Sequence, residues 1–244
     1  MGLTIPTARS SLMNLIYHRQ SKPANTPDAT AAWLDEPLGI NERMLADSLL
    51  LASGSRYRAS LLERLDQPFY RCSPDIDESA LIDELPATTA ARLAREKALA
   101  TQHQMRLQDK LADNLLIIAS DQVAALDNQA LGKPGTVSAA CQQLELMNGK
   151  TVVFSTALHV LHVDQGQHFT ALDTTRATLR PLTRREIARY VETDQPLDCA
   201  GSFKVEALGI SLFDAVQSDD PTALIGLPLI ALCHGLRQFG WRIP

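Results

Sequence analysis

The sequence has few aromatic residues and few cysteines, and each shortage excludes a class of protein. Aromatic residues make up only 5% of the 244 positions, and the formal net charge is -5. No basic stripe with interleaved aromatics is present, so we expect no nucleic-acid partner. The four cysteines are scattered without a CxxC pair. That spacing gives no zinc pattern and fits a reducing compartment.

Long apolar runs and targeting segments are also missing. No stretch reaches the roughly 18 apolar residues of a membrane helix. The first residues hold short apolar clusters without a signal-peptide core. We therefore predict a cytoplasmic protein with no membrane partner. Neither a Walker A sequence nor a GxGxxG occurs, which disfavours a P-loop ATPase or a dinucleotide-dependent enzyme.

What is present is enough apolar sequence for a full core, at 45% of residues. Residues 1–45 contain four prolines among small polar residues, so we predict a flexible N-terminal extension followed by one folded domain over 46–244. In the domain, strands are predicted at 48–53, 69–72, 115–120, 152–163 and 169–179, with a hairpin over 123–131. Helices are predicted from 55, over 86–107, 138–147 and 183–192, and from 228. This alternation indicates an α/β fold.

Two polar clusters follow apolar strands, which is where ligand sites form in α/β proteins. The segment from Ser53 to Arg58 offers backbone N–H groups, hydroxyls and guanidinium groups that suit a phosphate. A serine N-cap followed by solvated arginines explains the same residues equally well. Asp121 follows the second strand, where a carboxylate polarises water, binds a divalent cation or caps a turn.

Three further side chains are candidates on weaker grounds. Lys133 precedes Pro134, which restricts it to an extended backbone and so aims its side chain. Lys97 shares a helical stripe with apolar residues, although that pattern alone favours a lysine that reaches out to solvent. Glu78 belongs to a cluster of acidic residues that are solvated loop residues unless a metal is present. His159 and His162 fall on opposite faces of a strand, so we reject them as paired ligands.

Four segments together resemble one known family. LLLASGSRYRASLLERL resembles the opening motif of the Maf family of nucleotide pyrophosphatases, and SDQVAALDNQALGKP resembles its catalytic segment. CAGSFKVEALGISLF and LIGLPLIAL are similar to its closing segment. The resemblance runs from about Asp47 to Phe239. It implies a mixed sheet flanked by helices, in two lobes around a nucleotide-binding cleft.

The resemblance also implies roles for individual positions. Asp121 matches the proton acceptor and, with Glu78, the holder of a divalent cation, Mg²⁺ or Mn²⁺. The positions implied for substrate binding are Ser53, Ser55, Arg58, Lys97 and Lys133. Those implied for base preference are Tyr57, Gln122 and Glu206. Arg56 replaces a proline of the common motif, which leaves Arg58 as the better-supported phosphate ligand.

The implied activity is hydrolysis of a nucleoside triphosphate to the monophosphate and pyrophosphate. SDQV together with GSFKVEALG looks most like the branch that acts on 7-methyl-GTP. The alternatives are action on dTTP and UTP, a broad specificity, or a nucleotide sensor in cell division that does not turn over. A homodimer is also considered. In an empty cleft we expect Lys97 to lie near other cations, so that its removal leaves the fold stable.

Overall fold

The computed structural model describes residues 16–18, 48–108 and 114–244. Strands and helices alternate along this chain, which confirms the α/β prediction. The strands are β1 (Ile16–His18), β2 (Leu49–Ala52), β3 (Phe69–Cys72), β4 (Leu116–Leu126), β5 (Gln129–Leu131), β6 (Thr151–His162), β7 (His168–Leu179) and β8 (Phe213–Gln217). The α-helices are α1 (Arg56–Glu63), α2 (Pro86–Leu107), α3 (Val137–Met147), α4 (Arg184–Asp194) and α5 (Leu229–Gln238).

The strands form one mixed sheet in the order β1-β3-β2-β4-β6-β7-β8, with β5 paired to β4. β2 runs parallel to β3 and β4, whereas the pairs β4–β6, β6–β7 and β7–β8 are antiparallel. The long strands β4 and β6 pair over most of their length and form the spine of the molecule. The resemblance therefore implied the right kind of sheet.

The spine connects two lobes that have separate cores. In the first lobe, the initial half of β4 packs with β2 and β3, covered by α1 and α5 on one face and α2 on the other. In the second lobe, the final halves of β4 and β7 pack with α3 and α4. Polar residues 120–122 lie where β4 passes from the first core to the second. The middle of β4 is therefore where a cleft can form.

β4 itself corrects one expectation about Asp121. We expected the strand to end at Ser120 and the carboxylate to follow it, but the strand continues to Leu126. β6 supplies the reason, because its register with β4 runs without a break from Leu116 to Ala125. Backbone pairing to β6 thus continues the strand across the three polar residues 120–122. Asp121 projects from the interior of a strand, not from a loop.

Local sequence signals correctly predicted the turn between β4 and β5 and the start of α4. Asp127 and Asn128 both have positive φ and connect β4 to β5 as predicted. Thr183 and Glu186 form the capping box that begins α4. The sequence interpretation missed β8 and the 3-10 helix Leu208–Leu212, which have no clear apolar periodicity.

The N-terminal extension predicted over residues 1–45 lies outside the described residues except for β1. This strand pairs antiparallel with β3 at the edge of the sheet. Elsewhere, in the described part of the chain, no helix is both long enough and apolar enough to cross a membrane. Cys72 is buried, whereas Cys141, Cys199 and Cys233 are partly exposed.

Candidate active site

A cavity of about 970 Å³ opens between the two lobes. Its walls include residues from the β2–α1 turn, the middle of β4, the β5–α3 turn and the segments 198–206 and 224–226. Every site residue predicted from the sequence lines it: Ser53, Ser55, Tyr57, Arg58, Glu78, Lys97, Asp121, Gln122, Lys133 and Glu206. The volume is that of an ordinary small-molecule site.

A buried ion pair lies at the base of the cavity. The Lys97 ammonium donates to Asp121 Oδ1 at 2.5 Å and to Glu78 Oε1 at 2.7 Å. The side chains of Lys97 and Asp121 are only 7% and 9% exposed, whereas that of Glu78 is 55% exposed. Lys97 is therefore not a surface lysine. It lies on the buried stripe of α2 with Ala94 and Ala98, whereas the stripe pattern alone favoured a lysine that reaches out to solvent.

These contacts overturn the expected surroundings of Lys97. We expected other cations near it, but two carboxylates bind it. Desolvation raises the pKa of Glu78, but the hydrogen bond from Lys97 and the charges of Lys97, Lys133 and Arg58 outweigh it and lower that pKa overall. Removing Lys97 would leave the buried Asp121 without its ion-pair partner, so we expect a loss of stability instead of relief of repulsion between cations.

Glu78 is held in place by an anchor on α2. Arg92 donates to both carboxylate oxygens of Glu84 at 2.7 Å and to the carbonyl of Ser79 at 2.9 Å. Glu84 in turn accepts from the Leu81 N–H at 3.0 Å. These bonds fold the segment after β3 back onto α2. They present Glu78 to Lys97 although Glu78 lies outside any helix or strand.

The carboxylates of Glu78 and Asp121 fit a hard divalent cation. Each contacts the same ammonium through one oxygen, so the two carboxylates lie side by side at the base of the cavity. No group of three or more potential ligands exists in the described residues. Mg²⁺ is commonly held by one or two carboxylates together with substrate phosphates, so this pair has the chemistry of such a donor set.

The β2–α1 turn supplies hydrogen-bond donors at the carboxyl end of β2. Ser55 is the N-cap of α1, as the simpler interpretation proposed, and its hydroxyl accepts from the Arg58 N–H. Ser53 Oγ accepts from the Ser55 N–H at 3.1 Å and from Arg58 Nη1 at 3.3 Å. A Cβ at Gly54 would come within 2.9 Å of Ser73 Oγ, so a larger residue here would require the Ser73 hydroxyl to move. The helix N-terminus and the guanidinium thus face one anion site.

Arg58 differs from the solvated arginine of the simpler interpretation. Desolvation lowers the pKa of its guanidinium, although the charges of Asp121 and Glu78 act in the opposite direction. Its Nε donates to the carbonyl of Gly226 at 2.8 Å. Arg56 is exposed and donates to Tyr57 Oη at 2.8 Å, so it contacts the aromatic side chain instead of the serine turn.

Sequence reasoning missed the segment Ala223–Gly226, whose carbonyls contact the site. Gly226 O accepts from Arg58 and also from Ser120 Oγ at 2.8 Å. Gln122 Nε2 donates to the carbonyls of Ala223 and Leu224 at 2.8 and 3.1 Å. A glycine two residues before Pro228 was the available signal for a turn of this kind.

The opposite end of the cavity is more open. The Tyr57 ring lies beneath the Arg56 guanidinium, whose central carbon is 4.8 Å from the ring centroid. Glu206 is exposed and lies on a segment tied to α4 by Lys204, whose ammonium donates to the carbonyls of Asp194 and Gln195 at 2.7 and 3.1 Å. Here the specificity candidates are held by their backbone segments, not by burial.

Lys133 enters the cavity from the β5–α3 turn and is exposed. Gln143 on α3 steadies this turn, because its amide nitrogen donates to the carbonyl of Gly132 at 3.1 Å. The same side chain accepts from Ser202 Oγ, which precedes the Glu206 segment. One glutamine therefore connects the two walls of the second lobe.

The two histidines on β6 stand apart from this site. His159 stacks on His168, with ring centroids 5.3 Å apart, whereas His162 contacts Phe239 edge to face. Desolvation and the nearby charges of His168 and Arg95 lower the pKa of His159 to about 4. The different partners agree with the prediction that the two rings occupy opposite faces.

Comparison with known proteins gives a consistent match. Residues 48–239 match the family model described as Maf-like protein. A 7-methyl-GTP pyrophosphatase of Aromatoleum aromaticum is 50% identical over 203 residues, which is 82% of this chain and 100% of the relative. Proteins of the same name from Xanthomonas oryzae pv. oryzae and Cupriavidus metallidurans are also 50% identical, over 80% of this chain and 98% and 94% of their own.

Proposed function

This chain belongs to the family of Maf-like proteins, and from that premise we propose that it hydrolyses 7-methyl-GTP to 7-methyl-GMP and pyrophosphate. The observation that supports this most directly is the buried Lys97–Asp121 pair in a cavity lined by Arg58 and Lys133. A fixed carboxylate beside several cations suits the transfer of a phosphoryl-type group to water. The 50% identical relatives carry the same activity in their names.

In the proposed reaction, a water attacks the α-phosphorus of the nucleotide. The bond from that phosphorus to the bridging oxygen breaks, and pyrophosphate leaves. Asp121 orients the water and accepts its proton, while Lys97 keeps the carboxylate in position through Oδ1. Arg58 and Lys133 offset charge on the phosphate chain, and the Ser53 and Ser55 turn receives it at the N-terminus of α1.

We propose Mg²⁺ or Mn²⁺ as the cofactor, held by Glu78 and Asp121. The cation would offset negative charge on the phosphates when bound. This chain's own part is to hold the two carboxylates together, through Lys97 and through the Arg92–Glu84 anchor. Removal of the cation with EDTA should stop pyrophosphate release, and added Mg²⁺ or Mn²⁺ should restore it.

The base would lie at the open end, between Tyr57 and Glu206. A guanine methylated at N7 carries positive charge, which favours an aromatic face and a nearby carboxylate. Glu206 would also accept from the guanine N1–H and 2-amino group, donors that pyrimidines cannot offer in that arrangement. Because Arg56 lies against one side of the Tyr57 ring, the base would stack on the other side.

A panel of nucleotides tests the activity and the substrate separately. Pyrophosphate release is measured for 7-methyl-GTP, GTP, dTTP and UTP, with and without EDTA. Preference for 7-methyl-GTP supports the full proposal, and equal rates would discard the substrate while keeping the reaction. Tight binding of all four without turnover would favour the nucleotide sensor instead.

The remaining sequence predictions are retained as proposals. They are the cytoplasmic location, the homodimer, and the division into an extension over residues 1–45 and an enzymatic domain over 46–244. Mass measurement of the native protein checks the dimer. Activity of a chain that begins at residue 46 checks the domain boundary.

A further inference from the structure

Charged side chains line the cavity in two groups, one at each end. The first group, at the end proposed for the phosphates, has three cations and two carboxylates: Arg58, Lys97, Lys133, Glu78 and Asp121. The second group, at the end proposed for the base, has one cation and two carboxylates: Arg56, Asp198 and Glu206. Among the described residues, the lining of the cleft is therefore positive at the phosphate end and negative at the base end.

The backbone around Asp198 is fixed to the second lobe. The carbonyl of Leu197 accepts from the Gly135 N–H at 3.0 Å, which ties this segment to the β5–α3 turn. The Cys199 N–H donates to the carbonyl of Pro196 at 3.4 Å. The Leu197 side chain packs against the core of the second lobe. The exposed carboxylate of Asp198 thus extends into the cavity from an anchored turn.

Cys199 lies between the two carboxylates of the base end. Its thiol donates to Asp198 Oδ1 at 3.5 Å. Burial and the negative charges of Asp198 and Glu206 raise the pKa of Cys199 to about 12, although the charge of Lys204 acts in the opposite direction. The thiol is therefore neutral at physiological pH and adds no charge. Because both carboxylates act on the same thiol, they are neighbours.

Arg56 approaches Asp198 from the first lobe. It is the first residue of α1, and its Nη2 donates to Tyr57 Oη at 2.8 Å. The hydrogen bond to Tyr57 raises the pKa of Arg56 most, and the negative charge of Asp198 raises it further. Since the guanidinium binds Tyr57 and the Asp198 carboxylate accepts from a thiol, the carboxylate stays open to a ligand.

The charge pattern of the cleft fits a ligand with opposite charges at its two ends. A 7-methylguanine nucleotide carries negative phosphates and a positive base, whereas GTP has the same phosphates and no positive charge on the base. Glu206, which we propose to bind the edge of guanine, would accept from both nucleotides. A second carboxylate that acts through its charge would distinguish them. Such an effect is modest for an exposed group, because solvent screens it.

We propose that Asp198 is a further specificity-determining residue, whose carboxylate favours a positively charged base, and that Arg56 weakens this preference by partly offsetting that carboxylate. The proposal rests on the proposed function, because it concerns the base of the same substrate. It adds to the proposed role of Glu206 and gives Arg56 a part at the base end of the cleft.

The variant Asp198→Asn removes the charge and keeps the shape of the side chain. We expect the ratio of kcat/KM for 7-methyl-GTP over GTP to fall roughly two- to fivefold. Asp214→Asn makes the same change on the exposed strand β8, outside the cavity, and should leave the ratio unchanged. An unchanged ratio in Asp198→Asn, or an equal fall in both variants, would overturn the proposal.

The variant Arg56→Gln should change the same ratio in the opposite direction. We expect a rise of roughly two- to fivefold, which disappears when Asp198→Asn is also present. Arg185→Gln, at an exposed position of α4 outside the cavity, is the control. Inorganic tripolyphosphate, which has no base, should bind Arg56→Gln as it binds wild type. Weaker tripolyphosphate binding with an unchanged ratio would make Arg56 a phosphate ligand and contradict its proposed role.

Added salt separates the effect of charge from that of shape. The preference of the wild type for 7-methyl-GTP over GTP should fall as salt shortens the Debye length from about 10 Å towards 3 Å. The preference of Asp198→Asn should depend less on salt, because one of the two carboxylates is gone. Equal salt dependence in the two proteins would contradict a role that acts through charge.

A binding measurement distinguishes failure of this proposal from failure of the proposed function. Calorimetry compares the affinities of 7-methyl-GMP and GMP, which requires no turnover. If the wild type hydrolysed no nucleotide, the enzymatic proposal would fail, while a smaller affinity ratio in Asp198→Asn than in wild type would still support the role of Asp198. The same affinity ratio in both proteins would overturn that role even if the enzyme were active.

Discussion

The two ends of the cleft are constructed differently. At the phosphate end, Lys97 and Asp121 are almost fully buried, and Arg58 is bound by a carbonyl and a hydroxyl. At the proposed base end, Glu206 is exposed and the Tyr57 ring contacts the exposed side chain of Arg56. Burial fixes charges where the reaction would occur, whereas exposure leaves the base contacts adjustable. We therefore expect large effects of mutation at the phosphate end and smaller, substrate-dependent effects at the other.

The largest effect should come from Asp121→Asn. The change keeps the shape of the side chain and removes the proposed base, so kcat should fall by about 10² to 10⁴. Glu78 still binds Lys97 in this variant, so the melting temperature and tripolyphosphate affinity should stay near wild type. Steady-state kinetics and thermal unfolding measure both. Retention of more than half the wild-type activity would remove Asp121 from the mechanism.

Lys97→Met should affect both activity and stability. Because Asp121 then stays buried without its cation, the free energy of unfolding should fall by about 3–5 kcal/mol. Chemical denaturation measures the loss. Adding Asp121→Asn should recover most of the stability but no activity, since the uncompensated charge is gone. A Lys97→Met protein as stable as wild type would contradict a stabilising role for the Lys97–Asp121 pair.

Glu206→Gln tests the base end. We expect the preference in kcat/KM for 7-methyl-GTP over UTP to fall by roughly 1 to 3 kcal/mol, the scale of charged hydrogen-bonding groups left imperfectly paired. Activity toward UTP should change little. An equal loss for both substrates would show that this carboxylate serves the phosphate chain, and the contrast between the two ends would be wrong.

Lys204→Met should have the smallest effect, about 1 kcal/mol or less in the same preference. Its ammonium binds the last carbonyls of α4, a favourable place for a cation. Losing that anchor should loosen the segment that carries Glu206. The test is the preference ratio in single and double variants, because Lys204→Met should have no further effect once Glu206→Gln is present. An effect that persists there would indicate another route.

The sequence predicted the helices, the strands and the residues that line the cavity better than it predicted the contacts between those residues. The apolar runs, the Asp127-Asn128 turn and the capping box at Thr183 are local features, and local features can be read from neighbouring residues. The partners of Lys97 could not be predicted in this way, because Glu78 and Asp121 come from other segments of the chain. The helical stripe placed Lys97 on the inner face of α2, but the pattern alone favoured a solvent-exposed ammonium, because its burial and its neighbours depend on tertiary packing.

Asp121 shows a second limit of sequence patterns. A polar triplet after an apolar run resembles the end of a strand, since unpaired polar side chains are costly inside a sheet. The strand continues because each of the three has a partner on its own side: Ala157 O and Gly226 O for Ser120, Lys97 for Asp121, and Ala223 O for Gln122. Only the folded structure reveals those partners.

The continuity of β4 has a further consequence for the proposed chemistry. Asp121 is part of a strand paired along its length to β6, so its backbone is held in the sheet when a ligand enters. Its neighbours on that strand fix the backbone that contacts Arg58. The backbones that carry the proposed base Asp121 and contact the Arg58 guanidinium are thus in place before substrate binds, which reduces the reorganisation free energy of the proposed reaction. Adjustment to different ligands is left to the segments outside the sheet.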